Sequence, residues 1–315
     1  MALVSIVVPT FKRPDKVRAA LKSISGQTHQ NIEVILVDDN GEGSEYDRET
    51  YEVVREFELI FKKFTFVKNK VNMGGGRARN EGIKVASGHY VAFLDDDDQY
   101  LPNKLELQLA KFAESTVSKL ALVYCQMSVF DEFSDRKISI TSNYFRGNTV
   151  PFRENMMGCI ASTSSILVKK SVLDEIKGFR NLKSGQDWAL MLDIIIAGYG
   201  VDYLEESLVN IYVGSVGRIS SSPVKTESLR GEIKDIKDEV ASNIEDKKLL
   251  RKIYYNHYFH LASALKFSNK LSAMSYYLKA LTFGFKSVDS FKFLSGFLFG
   301  EKLTKIVKAK IHKKR

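Results

Sequence analysis

Residues 90–98 read Tyr90-Val91-Ala92-Phe93-Leu94-Asp95-Asp96-Asp97-Asp98, an apolar, strand-like run that ends in four consecutive acids. Such a run suits a strand buried on both faces, as in a parallel sheet covered by crossover helices. At an effective dielectric near 20, two carboxylates about 5 Å apart repel by roughly 3 kcal/mol, so four in a row beside a buried strand call for compensation. A divalent cation supplies it, and carboxylates with phosphate oxygens and water are the ligands that Mg2+ and Mn2+ take. A solvated acidic turn is the bland alternative.

Upstream, the same alternation of β-branched runs and amphipathic stretches recurs. Strands are expected at Val4–Val8, Glu33–Val37 and Thr65–Val67, with helices near Lys16–Ser23, Glu49–Phe57, Gly76–Ala86 and Asn103–Phe112. Downstream, strands at Ala121–Phe130 and Ser165–Lys169 and a helix at Asp187–Ile196 extend the layer to about Ile211. Gly214–Pro223, rich in Gly and Ser, reads as a loop or lid, with Arg218 placed to reach phosphates. Beyond it only helical patterns follow, including a hairpin over Tyr254–Phe283 that turns near Ser268–Lys270. The expected organisation is an α/β domain over residues 1–223 and a helical region over 224–315.

Four further segments accompany the acidic run. Val7-Val8-Pro9-Thr10-Phe11-Lys12-Arg13 follows the first strand, where parallel α/β sheets receive nucleotides. Asp38 and Asp39 end the second strand, where a carboxylate can accept from a base imide or ribose hydroxyls, or simply form a turn. Asn72-Met73-Gly74-Gly75-Gly76-Arg77-Ala78-Arg79 is a glycine run opening a helix, suited to an anion, although it matches neither GxGxxG nor the phosphate-loop lysine pattern. Ser184-Gly185-Gln186-Asp187-Trp188 opens an apolar helix, where Asp187 is equally a cap.

In order and spacing, the five segments resemble the inverting, nucleotide-sugar-dependent glycosyltransferases of family 2, which have the GT-A fold. The resemblance runs from Val4 to Ile211 through SIVVPTFKR, VDDN, NMGGGRARNEGI, GHYVAFLDDDDQYLP and GFRNLKSGQDW. It implies a mostly parallel, Rossmann-like sheet flanked by helices, followed by a C-terminal helical extension. It further implies that Pro9 and Thr10 line the nucleotide pocket, that Asp39, or its neighbour Asp38, binds the base, and that Arg79 with Asn72 meets the nucleotide. The family's DxD motif maps onto Asp95, Asp96 and Asp97, with Asp95 facing the ribose or sugar and Asp97 holding Mn2+ or Mg2+ on the diphosphate. The fourth acid, Asp98, leaves that register open by one. Asp187 matches the general base, and Gln186 stands where the family has Glu.

Those residue types suit one inverting displacement. A metal on the diphosphate offsets charge on the leaving group, and one carboxylate takes the proton of the attacking hydroxyl. The expected reaction moves a sugar from a UDP-linked donor to a glycan or lipid-linked glycan of the bacterial surface. A sugar-phosphate nucleotidyltransferase is the alternative, but residues 9–16, PTFKRPDK, lack the glycine- and lysine-rich signature that class shows. A nucleotide-sugar-binding protein without turnover is another, for which Gln186 is the one hint.

Composition narrows the setting. With 315 residues, 44% hydrophobic and 27% charged, the chain can bury a real core, and wholesale disorder is excluded. Two cysteines, Cys125 and Cys159, make neither a disulfide framework nor a metal cluster, and fit a reducing compartment. No stretch approaches 18 uninterrupted apolar residues, so a cytoplasmic protein is expected. Residues 247–315 hold 16 Lys or Arg against two acids, so of the total +9 the preceding residues contribute −5. Aromatics and cations over 291–315 suit peripheral contact with an anionic membrane at its cytoplasmic face better than nucleic acid.

Overall fold

A computed structural model describes residues 2–214, 223–284, 286, 288–291 and 293–298. They fall into two compact units divided between residues 218 and 219, except that residues 156–158 go with the second. The expected lid with Arg218, and the basic tail beyond residue 298, lie outside the described residues.

The first unit is a nine-stranded sheet with helices on its faces. In chain order it runs β1 (Val4–Thr10), α1 (Pro14–Ser25), β2 (Ile32–Asp38), α2 (Glu45–Phe57), β3 (Phe64–Lys68), α3 (Gly75–Val85), β4 (Tyr90–Phe93), β5 (Asp98–Tyr100), α4 (Lys104–Glu114), β6 (Leu120–Asp131), β7 (Lys137–Ile140), α5 (Thr149–Met157), β8 (Ile166–Lys169), α6 (Lys170–Glu175), α7 (Gln186–Ile196) and β9 (Gly200–Val213). The strand order is β3-β2-β1-β4-β8-β6-β9-β5, with β7 on β6.

Every residue of β1 is buried, which fits a central strand covered on both sides. Its alternation sorts the core. Val4, Ile6 and Val8 pack with Val34 and Leu36 against Val17, Leu21 and Ile24 of α1, whereas Val7 packs with Ile35 and Val37 against Ala78 and Ile83 of α3. Leu190, Met191 and Ile194 of α7 join the second face. The sheet is parallel through β3, β2, β1 and β4, but β8 runs antiparallel to both β4 and β6. β6 and β9 again run parallel, so the mostly parallel sheet that was expected is interrupted at β8 and edged by the antiparallel β5 and β7. The short strand β5 was not anticipated, because three residues carry no readable periodicity; it pairs antiparallel with β9 and draws Asp98 into the sheet.

The chain leaves β1 toward β2 and β3 on one side, then returns to β4 on the other. The carboxyl ends of β1 and β4 therefore form the switch point at which doubly wound sheets receive ligands.

The second unit contributes α8 (Pro223–Arg230), α9 (Glu232–Ala241), α10 (Lys247–Leu265) and α11 (Lys270–Phe283). Asp246 caps α10 by accepting from the Lys248 and Leu249 N–H groups, and Asn269 caps α11 by accepting from Ser272 N–H. Ala262, Leu265, Ala273, Tyr277 and Phe293 form its core. No helix of the described residues is long and apolar enough to cross a membrane.

Candidate active site

The four acids after β4 divide into distinct roles. Asp96 is buried and accepts from the Thr10 hydroxyl at 2.9 Å, the Phe11 N–H at 3.3 Å and the Arg13 guanidinium at 3.2 Å. Burial pushes its carboxyl up to about 6, against the pull of Arg13, and Asp97 adds repulsion. Arg13 also reaches Asp97 at 2.9 Å. Asp95 pairs with Arg79, and its backbone N–H donates to Ser164 Oγ at 3.1 Å. Asp98 lies in β5, buried, accepting from Ser164 at 2.6 Å. Two arginines and a serine of the chain itself thus compensate part of the acid cluster.

The loop after β1 is tied down from two sides. Lys12 adopts φ +58°, and its N–H donates to Asn40 Oδ1 at 2.5 Å. Pro9 is buried opposite Val37; the β1–β4 ladder stops at Val7, so its missing N–H leaves no β4 acceptor unpaired.

Asp39, expected at the base, anchors the neighbouring turn. One carboxylate oxygen accepts from Asn69 Nδ2 and Met73 N–H, both at 2.8 Å; the other accepts from Gly74 N–H at 2.9 Å and Asn72 Nδ2 at 3.0 Å. Four donors match the roughly four lone-pair sites of a carboxylate. The glycine run follows from this turn and from packing. Gly74 sits at φ +85°, which an L side chain rarely adopts, and a Cβ on Gly76 would lie 3.1 Å from the Arg180 carbonyl and 3.2 Å from Gln186 Cδ. The amides of residues 73 and 74 thus serve Asp39, and the glycines let α3 abut the start of α7.

Arg79 makes the central connection. Buried on α3, it donates to Asp95 and, at 2.9 Å, to Gln186 Oε1, while its guanidinium carbon lies 5.5 Å from the Phe179 ring centroid. Its neighbour Arg77 is exposed. Gln186 is held from behind by donating to the Leu182 carbonyl at 2.8 Å. Asp187, next on α7, is half-buried and accepts from Trp188 N–H at 2.8 Å. Burial holds its carboxyl above the usual range and Asp95 adds repulsion, while the Trp188 N–H, Arg79 and the Cys159 thiol pull it back. Trp188 is fixed by donating to the Asn155 carbonyl at 2.6 Å.

Thr10, Arg79, Asp95, Asp96, Asp97 and Asp187 are thus brought together, while Asn72 and Asp39 form the neighbouring turn. Sequence reading missed the roles of Arg13, Asn69, Ser164 and Cys159. Arg13 alone carried a legible signal, a forked cation directly after a strand end facing an acidic run. Among the described residues no group of three or more His, Cys, Asp or Glu is arranged to hold a metal ion. Asp95 and Asp97, with side chains 32% and 10% exposed, nevertheless form the kind of carboxylate pair to which Mg2+ or Mn2+ adds phosphate oxygens and water.

A parallel half-sheet has an acidic turn at its switch point, and a buried arginine links that turn to Gln186, the residue before a half-buried carboxylate on a later helix. The family model for glycosyl transferase family 2 matches residues 5–176, and the chain belongs to that family. An uncharacterised glycosyltransferase of Methanocaldococcus jannaschii is 28% identical over 66% of this chain and 69% of its own. The amylovoran biosynthesis glycosyltransferase AmsB of Erwinia amylovora is 26% identical over 66% of this chain and 69% of its own. The UDP-Glc:α-D-GlcNAc-diphosphoundecaprenol β-1,3-glucosyltransferase WfaP of Escherichia coli is 25% identical over 69% of this chain and 80% of its own. A glycosyltransferase of Rickettsia bellii, 33% identical, is much longer: the chain spans 26% of it. Among solved structures, Staphylococcus aureus TarS in complex with UDP-GlcNAc superposes with TM-score 0.67 at 18% identity, covering 90% of this chain and 80% of that one. The mannosyltransferase PcManGT of Pyrobaculum calidifontis, in complex with GDP-Man and Mn2+, gives TM-score 0.59 at 15% identity over 97% and 83%. These likenesses establish the GT-A-like fold.

Proposed function

We propose that this glycosyltransferase moves a sugar from a UDP-linked donor to a hydroxyl of a surface polysaccharide or lipid-linked glycan, with inversion, at the cytoplasmic membrane face. The single observation that carries this reading is the Asp95–Arg79–Gln186 chain, which joins the acidic turn to the helix bearing Asp187. The UDP donor and lipid-linked acceptor are supported by the names of WfaP and of the TarS complex.

In this reading Asp187 takes the proton of the acceptor hydroxyl; its raised pKa brings its basicity nearer to neutral pH. Asp97, with Asp95, would hold the divalent ion, which when bound offsets charge on the leaving diphosphate. Asp96 clamps Thr10, Phe11 and Arg13 into the pocket wall beside Pro9. Asp39 and Asn72 shape the base subsite, and a direct bond from Asp39 to a base imide requires one of its four present donors to yield. Residues 1–223 form the catalytic domain and 224–315 a helical extension.

The test is UDP release from a panel of UDP-sugars with Mn2+, comparing the parent with Asp187→Asn. Turnover should fall about 10²–10⁴-fold while UDP affinity by calorimetry stays within about twofold. Unchanged turnover would remove Asp187 from the mechanism. Donor binding without any turnover in the parent would identify a binding protein, and pyrophosphate release from a nucleoside triphosphate a nucleotidyltransferase.

A further inference from the structure

Asn155 on α5 and Trp188 on α7 bind one another twice across 33 residues of sequence. The Asn155 side-chain Nδ2 donates to the Trp188 carbonyl at 3.0 Å, and the Trp188 indole N–H donates to the Asn155 carbonyl at 2.6 Å. Both residues are buried, so the two bonds are made away from water, where they are electrostatically stronger. Trp188 in turn donates its backbone N–H to Asp187 Oδ1 at 2.8 Å. A donor on a carboxylate favours the ionised form, and it does so only while its direction is kept.

We propose that Asn155 is a positioning residue for Asp187: by gripping Trp188 at both its indole and its carbonyl, it fixes the first turn of α7 and keeps the Trp188 N–H aimed at the carboxylate. This rests on Asp187 acting as the base. Packing alone does not call for an amide at 155. The Asn155 Oδ1 is buried with no hydrogen-bond partner, a cost that an apolar side chain of similar size would avoid. What the amide contributes is direction at Trp188, one residue from Asp187. The carboxylate is faced besides by Asp95 of the acidic turn, Arg79 of α3 and the Cys159 thiol, none of which the variants below replace.

Trp188 is the one tryptophan of the chain, so its emission reads the grip directly. In the full chain, Asn155→Leu removes the amide while nearly conserving volume. It should keep the parent's melting profile and, by calorimetry, its UDP affinity within about twofold, while Trp188 emission shifts and becomes more accessible to acrylamide. With a UDP-sugar that the parent turns over, kcat should fall about tenfold. The acidic limb of kcat/KM should move to higher pH by about half a unit, because a misdirected N–H no longer favours the ionised carboxylate. Trp188→Phe, which loses the indole donor and keeps the carbonyl, should move the limb the same way by less, and it decides the matter if Asn155→Leu does not fold. An unmoved limb in a folded variant, or unchanged Trp188 emission in Asn155→Leu, would overturn the proposal. Failure of the proposal alone would be turnover lost in Asp187→Asn with rate and limb unmoved in Asn155→Leu. Full turnover in Asp187→Asn would overturn the underlying reading, and the proposal with it.

Discussion

Arg79 on α3 donates to Gln186 Oε1 at 2.9 Å across 107 residues of sequence, and the same guanidinium pairs with Asp95. The acidic turn and the residue preceding the proposed base are thereby held by one cation. With a neutral amide at 186, Arg79 is shared between one carboxylate and one carbonyl-type oxygen.

Gln186→Glu should shift that balance. A second carboxylate would compete with Asp95 for Arg79 and add negative charge beside Asp187, whose carboxyl is already raised by burial and by Asp95. A base must be ionised to act, so activity falls as pH drops through its pKa. The acidic limb of kcat/KM should therefore move to higher pH in Gln186→Glu, by about half a unit or more, where one unit corresponds to about 1.4 kcal/mol. A pH–rate profile of both proteins checks this, and an unmoved limb would separate Gln186 from the base.

Asp97 and Asp98, adjacent in sequence, should respond differently to the same isosteric change. Asp97→Asn should raise the Mn2+ concentration needed for half-maximal turnover and lower kcat, with the melting temperature nearly constant. Asp98 is buried in β5 against Ser164. Asp98→Asn should therefore cost about 1–3 kcal/mol of stability. Metal titration alongside thermal melts distinguishes the two, and complete loss of parent turnover in EDTA is expected.

Two glycines of the α3 region should separate site geometry from packing. A Cβ on Gly82 would lie 2.4 Å from Val7 Cγ1, so Gly82→Ala should overpack the contact between α3 and β1, at about 1–3 kcal/mol. At Gly76 the new methyl would press on the Arg180 carbonyl and on Gln186, so Gly76→Ala should lower kcat through displaced Gln186. Denaturant titration and turnover, measured together, should show the first variant mainly unstable and the second mainly slow.

Lys104 should give stability a pH dependence above neutrality. It is fully buried, donates to Gln108 Oε1 at 2.8 Å and lies 4.1 Å from the Tyr100 ring centroid. Burial lowers its pKa from 10.5 to about 8. Between those values the unfolded chain binds more protons, so stability should rise as pH goes from about 8 to about 10.5. Lys104→Met should remove that slope and, at pH 7, relieve a penalty of about 3 kcal/mol. Equilibrium unfolding across that window is the measurement.

Much of the first unit was legible because its strands are buried on both faces and its helices on one, which writes a period into the sequence. Thus Val4–Val8, Glu33–Val37 and Tyr90–Leu94 coincide with strands within a few residues. The acid run and Asp187 were likewise visible as types and spacings. What did not show was the pairing of side chains from distant segments. Nothing local in Asp39 says that it will be saturated by Asn69, Asn72 and two amides, nor does Asp98 differ in composition from Asp97.

The alternation of apolar runs, the order of the motifs and the clustering of cations at one end are properties of the chain, and they determined the fold class and the family. The partition of four consecutive acids among a clamp on the β1 loop, a pair with Arg79, a pair with Arg13 and a strand residue was decided by the tertiary structure. So was the choice of which apolar side chains in residues 288–298 face outward. The physical reason is the same in both cases: charge compensation and burial depend on what stands opposite a residue, and that neighbour comes from elsewhere in the chain.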